Sequence, residues 1–153
     1  MERPANFDPV QRPKHYNSHP SGVECIEIVE HMRFNLGNAV KYLWRGGLKI
    51  SDPTQDFEKA LWYVNREMAV VPAYVPTPRQ IEHFTQALSD GRARRALAQP
   101  SPWCEPVRVA ISALIDFHAA GEITESSRLL TRAERCIQTA ISDCFNMGRG
   151  MEP

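Results

Sequence analysis

The chain has 153 residues, 42% of them hydrophobic and 24% charged, and its 18 Lys+Arg are balanced by 18 Asp+Glu. That length suits one domain with a real core, and zero net charge argues against a protein that works by coating nucleic-acid phosphates, though not against a local basic pocket. No apolar run reaches the ~18 residues of a membrane span, and the opening MERPANFDPVQRP has no apolar segment of the secretory kind. A cytoplasmic protein with no membrane partner and no nucleic-acid partner is therefore expected.

Residues 1–13 hold three prolines and read as a flexible N-terminal arm. A first helix is predicted over 24–32, with Cys25, Ile28 and Val29 inward. Leu36, Val40 and Leu43 recur at helical spacing and predict a second helix over 35–46, which Gly46-Gly47 is expected to end. Asp52-Pro53 supplies a cap and a first-turn proline for a third helix over 53–69. Its inner side carries Phe57, Ala60, Leu61, Val64 and Met68. Residues 71–78 are a Pro-rich linker. A fourth helix over 78–89 follows Thr77-Pro78, with Ile81, Phe84 and Leu88 inside. Asp90-Gly91 breaks it, and Arg92 to Ala98 reads as a short basic helix. The next helix spans 102–119, burying Val107, Ile111, Leu114 and Ile115. The last spans 124–145, with Leu129, Ala133, Ile137, Ala140 and Cys144, and 146–153 reads as a loose tail. The fold class is all-α: a compact bundle of about six helices with no P-loop α/β domain. Residues 14–70 form one helical region and 79–145 a second.

Several residues on these helices can do chemistry. Asn38, Lys41, Tyr42 and Arg45 share one face of the second helix. Lys41 and Arg45 suit phosphate, with Arg45 offering a bidentate fork. Tyr42 can stack on a base, and Asn38 can read a base edge. Asp56, Lys59, Tyr63 and Arg66 form a similar stripe on the third helix, with Trp62 beside them. If the stripes face each other they build a basic, aromatic-walled pocket; if not, they are solvated helix faces. Lys14, His15, Tyr16 and Asn17 form a polar loop able to fold over a ligand. Among carboxylates, Glu24 and Asp56 are the candidates for a divalent metal, with Glu27 and Glu30 nearby on the first helix. His15 and His19 lack zinc-site spacing, as do Cys25, Cys104, Cys136 and Cys144, which read as reduced core residues. Arg92, Arg94 and Arg95 make the densest basic patch of the second half, and Trp103 reads as a core or interface anchor. No GxxxxGK[ST], GxGxxG, GxSxG or HExxH motif occurs.

At KHYN, ECIEIVE, LGNAVKYLWRGGLK and DFEKALWYVNRE the chain resembles the phage-encoded DUF3310 family, over about residues 12–68. That family includes a nucleotide kinase without a P-loop. The resemblance implies phosphoryl transfer from a nucleoside triphosphate donor to a deoxynucleoside monophosphate, in a homo-oligomer. The family's recurring positions fall on Lys14, His15, Tyr16, Glu24, Asn38, Lys41, Tyr42, Trp44, Arg45, Lys59, Trp62, Tyr63 and Arg66. With physical roles assigned, Arg45, Lys41 and Lys59 are the catalytic candidates. Lys14, His15, Tyr16, Asn38, Tyr42, Trp62, Tyr63 and Arg66 are the substrate-binding ones. One alternative is a non-catalytic nucleotide-binding or sequestering protein. Another is a helical pyrophosphohydrolase using Glu24, Glu27 and Asp56 on a metal. A helix-turn-helix DNA binder fits the neutral charge least well.

Overall fold

A computed structural model describes residues 18–48, 51–70, 91–98, 103–119 and 123–149, and these form six helices and no strand. In chain order they are α1 (Cys25–Val29), α2 (Phe34–Leu48), α3 (Thr54–Val70), α4 (Arg92–Ala98), α5 (Glu105–Ala119) and α6 (Ile123–Arg149). The expected arm, the Lys14–Asn17 loop, the 71–78 linker and the 78–89 helix lie outside the described residues.

The local signals explain most of the starts. Glu24 precedes α1, and its backbone N–H donates to Glu27 Oε2 at 2.8 Å, half of a capping box. Asp52 caps α3, its Oδ1 accepting from the Thr54 N–H at 2.9 Å. Gly91 precedes α4 with φ +69°, a left-handed conformation that favours glycine. Helix α5 begins at Glu105, later than the Ser101-Pro102 signal suggests. The intervening Trp103 is buried instead, and its indole N–H donates to the Trp44 carbonyl at 3.3 Å.

Helices α2 and α3 pack extensively on each other, as do α5 and α6, while α3 also lies along α6 and α2 touches α5. The α2–α3 pair is antiparallel: Asn35 meets Glu67 at one end, and Gly46 meets Phe57 at the other. Between the four long helices sit Leu36, Val40, Leu43 and Trp44 from α2, and Phe57, Ala60 and Val64 from α3. Val107, Ile111 and Leu114 from α5 and Leu130, Ala133 and Ile137 from α6 complete the core. The four long helices bury most of the stripe that a 3.6-residue period predicts, with Leu61 and Met68 of α3 and Leu129 and Cys144 of α6 only partly buried. Burial of this kind, at about 25 cal/mol per Å² of apolar surface, is the main force holding helices of ordinary propensity together.

Two expectations change. Gly46-Gly47 does not end α2, which runs on to Leu48. Both glycines serve close packing: a Cβ on Gly46 would stand 2.7 Å from Phe57 Cε1, and one on Gly47 would overlap the Trp103 ring. Helix α6 likewise continues past residue 145 to Arg149. The four cysteines are free, but only Cys25 is a buried one, and Cys104 is exposed.

Candidate functional site

Antiparallel packing of α2 on α3 brings parts of the two polar stripes together. Tyr42 and Tyr63 stack across the pair, with ring centroids 5.9 Å apart and planes 17° from parallel. Lys41 Nζ stands 4.6 Å from the Tyr42 ring centroid, and Lys59 Nζ stands 5.6 Å from the same centroid. Both lie within cation–π range, so one phenol ring gathers two ammonium groups from two helices. Trp62 packs edge-on to Tyr63 at 4.9 Å, and Phe34 does so at 6.0 Å. Trp62 and Phe34 are otherwise open, at 59% and 74% exposure, so the aromatic group presents an uncovered apolar surface. The arrangement offers flat π-faces for a planar ring and two cations for an anion beside it.

The remaining predicted residues are placed differently. The Asn38 amide donates to the Phe34 carbonyl at 2.8 Å and accepts from Lys41 Nζ at 2.8 Å. It therefore positions Lys41 rather than presenting a base-reading edge. Lys59 donates to Gln55 Oε1 at 3.3 Å. Arg66 is exposed one turn beyond Tyr63. Arg45 lies one turn from Tyr42, with its Nε 3.4 Å from Asp56 Oδ2, and Asp56 is 1% exposed. Asp56 thus serves as a buried partner of Arg45. Glu24 and Glu27 take part in the α1 cap. Among the described residues no group of three or more His, Cys, Asp or Glu could hold a metal ion. Lys14, His15 and Tyr16 lie outside the described residues. Trp44 is fully buried, edge-on to Trp103 at 4.7 Å, and is a core residue. Cys25 is no ready nucleophile. Burial pushes its thiol up to about 12, against the opposing pull of the Lys41 charge.

Sequence reasoning missed a second polar group at the other end of the α2–α3 pair. Glu67, 1% exposed, faces Arg33 at 2.8 Å and accepts from the Asn35 amide at 3.0 Å. The Arg33–Glu67 approach is an ion pair outside hydrogen-bond alignment. His118, at the end of α5, lies in the field of Arg33. Burial first, and then that guanidinium, depress its pKa to about 4, while a backbone hydrogen bond with His31 opposes the shift. One signal was available: Glu67 falls on the same buried face of α3 as Val64 and Ala60, where a carboxylate needs a partner. His19 is also buried, its ring 4.3 Å from that of Trp103 and 5.1 Å from that of Trp44. Its Nδ1 accepts from the Ser21 backbone N–H at 3.2 Å.

Fold and site together define an all-α protein that presents a lysine–tyrosine surface on one helix pair. Residues 10–65 match the family model described as a protein of unknown function, DUF3310, which supports that family for this segment. The matched segment includes all of α2 and the Lys41, Tyr42, Lys59 and Tyr63 group. No curated protein and no solved structure matches the chain.

Proposed function

We propose that the surface built by Lys41, Tyr42, Lys59 and Tyr63 binds a nucleotide. We further propose that the protein transfers a phosphoryl group from a nucleoside triphosphate to a deoxynucleoside monophosphate without a P-loop. The observation that carries this reading is the gathering of two lysines on the stacked Tyr42–Tyr63 pair. A base needs a π-face and a phosphate needs cations. Phosphoryl transfer needs mainly positioning and charge stabilisation, which clustered cations provide. The transfer chemistry rests on the resemblance of the matched segment to a family containing such a kinase. In that role Lys41 and Lys59 meet phosphate oxygens, the exposed Trp62 flanks the base, and Arg45 reaches from the rim.

A second reading is binding without turnover, as in a protein that sequesters a nucleotide. It is favoured by the placement of Asp56, the acidic member of the α3 stripe. That carboxylate is buried against Arg45 and is poorly placed to accept a proton from an acceptor phosphate.

Incubation with each pair of nucleoside triphosphate and deoxynucleoside monophosphate, with the products resolved, separates the readings. Diphosphate formed from the monophosphate marks a kinase, and pyrophosphate release marks a hydrolase. Binding alone marks sequestration. Tyr42→Ala should weaken nucleotide binding by about 1–3 kcal/mol, the usual worth of one base–aromatic stack. Unchanged binding in Tyr42→Ala would remove the surface from consideration.

A further inference from the structure

The exposed side of α6 carries a feature that the lysine–tyrosine surface does not explain. Arg128, Arg132 and Arg135 lie at i, i+4 and i+7, so they share one helix face with Thr131 between them. Leu130, Ala133, Ile137 and Ala140 occupy the buried side of the same helix. The three arginines, with Ser127, Thr131 and Cys136, line a shallow, open surface on this one face of the helix.

All three guanidinium groups are exposed, and among the described residues none forms an ion pair with a carboxylate. Like charges at these spacings disfavour a helix, so the row works against the element that bears it. The neighbouring hydroxyl does not compete with the arginines as a donor. Thr131 Oγ1 already donates to the Ser127 carbonyl at 2.9 Å. Apart from the Ser127 hydroxyl, the side-chain oxygen and nitrogen donors left on this face are planar, permanently charged forks, the geometry that matches phosphate oxygens. From Arg128 to Arg135 the helix rises about 10.5 Å. One isolated phosphate cannot span that row, whereas a short chain of linked phosphates can touch all three side chains.

We propose that this face of α6 is a binding site for a linear chain of linked phosphates, either inorganic tripolyphosphate or the triphosphate of a nucleotide. The site stands apart from the α2–α3 surface, and the inference does not depend on that surface binding a nucleotide.

The test is titration of the full chain with inorganic tripolyphosphate, a nucleoside triphosphate and a nucleoside monophosphate, followed by calorimetry at two salt concentrations. The expected result is salt-sensitive binding of tripolyphosphate and of the triphosphate, with the monophosphate at least about tenfold weaker. The combined variant Arg128→Gln, Arg132→Gln and Arg135→Gln should lose tripolyphosphate binding by more than about tenfold. Arg108→Gln, which removes an exposed arginine of α5 outside both surfaces, should leave tripolyphosphate binding unchanged. If the triple variant does not fold, amide NMR of the natural chain decides. Shifts confined to residues 127–136 on adding tripolyphosphate support the site, and shifts confined to α2 and α3 overturn it. Absence of tripolyphosphate binding, equal binding by a folded triple variant, or tighter binding of a single-stranded oligonucleotide to this face would also overturn it. A failed nucleotide assay at Tyr42 with intact tripolyphosphate binding would sink the proposed function and leave this site standing.

Discussion

Arg45 stands between two tasks. Its Nε faces the buried Asp56 carboxylate at 3.4 Å, while a third of the side chain stays open to solvent on the stripe that bears Tyr42. Truncation and conservative replacement should therefore separate. Arg45→Ala removes a counter-charge from a carboxylate that is 1% exposed and should cost about 1–3 kcal/mol, below the full figure for a wholly buried pair because Arg45 is partly solvated. Arg45→Lys keeps the charge and the helix but loses the fork, so stability should hold. If Arg45 grips phosphate, turnover should fall by roughly 2–4 kcal/mol of transition-state stabilisation. Denaturant midpoints and turnover on the same samples check both, and unchanged turnover in Arg45→Lys would take Arg45 out of the site. The chemistry of this stripe was readable because helical spacing alone puts Asn38, Lys41, Tyr42 and Arg45 on one face. The role of Asn38 was not, because its carbonyl oxygen and Lys41 choose each other in three dimensions. Nor was the Arg33–Asn35–Glu67 group, in which Glu67 lies more than thirty residues from the other two and meets them only once α2 lies against α3. The arginine row on α6 was hidden by its spacing. A dense cluster such as Arg92, Arg94 and Arg95 catches the eye, while i, i+4, i+7 shows only on a helix.

At the scale of the element, one dipeptide explains where pattern reading succeeds and where it fails. Gly-Gly after a helical stripe is the usual stop signal, yet α2 passes through Gly46-Gly47. Each glycine costs the helix about 1 kcal/mol relative to alanine. The return is close approach, Gly46 to Phe57 and Gly47 to Trp103. A sequence does not state which partner helix will come that close, so this use of glycine is invisible until α3 and Trp103 are in place. Gly46→Ala should thus destabilise the protein by about 1–2 kcal/mol, because overpacking outweighs the gain in propensity. Adding Phe57→Leu should recover part of that loss, since the two sites touch and their effects should couple. The measurement is a double-mutant cycle of urea midpoints. Strict additivity, or a stabilised Gly46→Ala, would contradict the packing role. The helix starts fared better: Asp52 caps α3 where expected, because a cap is a local event that four consecutive residues determine.

For the whole molecule, the same bundle leaves Ile26, Phe34, Trp62, Phe145 and Met147 more than half exposed, the kind of surface that an oligomer covers. Light scattering at micromolar concentration should give more than a monomer mass, and a monomer would refute the homo-oligomer expected from the sequence. The pH response of folding is the more pointed test of the packing. His118 is depressed from 6.5 to about 4, by burial first and by Arg33 second, and burial lowers His19 in the same direction. Above pH 6.5 the imidazole of His118 is neutral in folded and unfolded chains alike, and it adds no pH dependence. Between 6.5 and about 4 the unfolded chain takes up a proton that the folded chain refuses, so stability falls as pH falls. Below about 4 both states are protonated and the loss from this group is complete. With allowance for solvent screening of a partly open side chain, the loss should be about 2 kcal/mol. Carboxylates also titrate in this window, so the informative quantity is the difference between natural chain and variant. His118→Gln cannot take up the proton, and its stability should decline less steeply from pH 6.5 to 4 than that of the natural chain. Parallel urea-midpoint curves for the two proteins across that window would mean that His118 is solvated, and that the end of α5 does not seat against Arg33 and the corner before α2 as described.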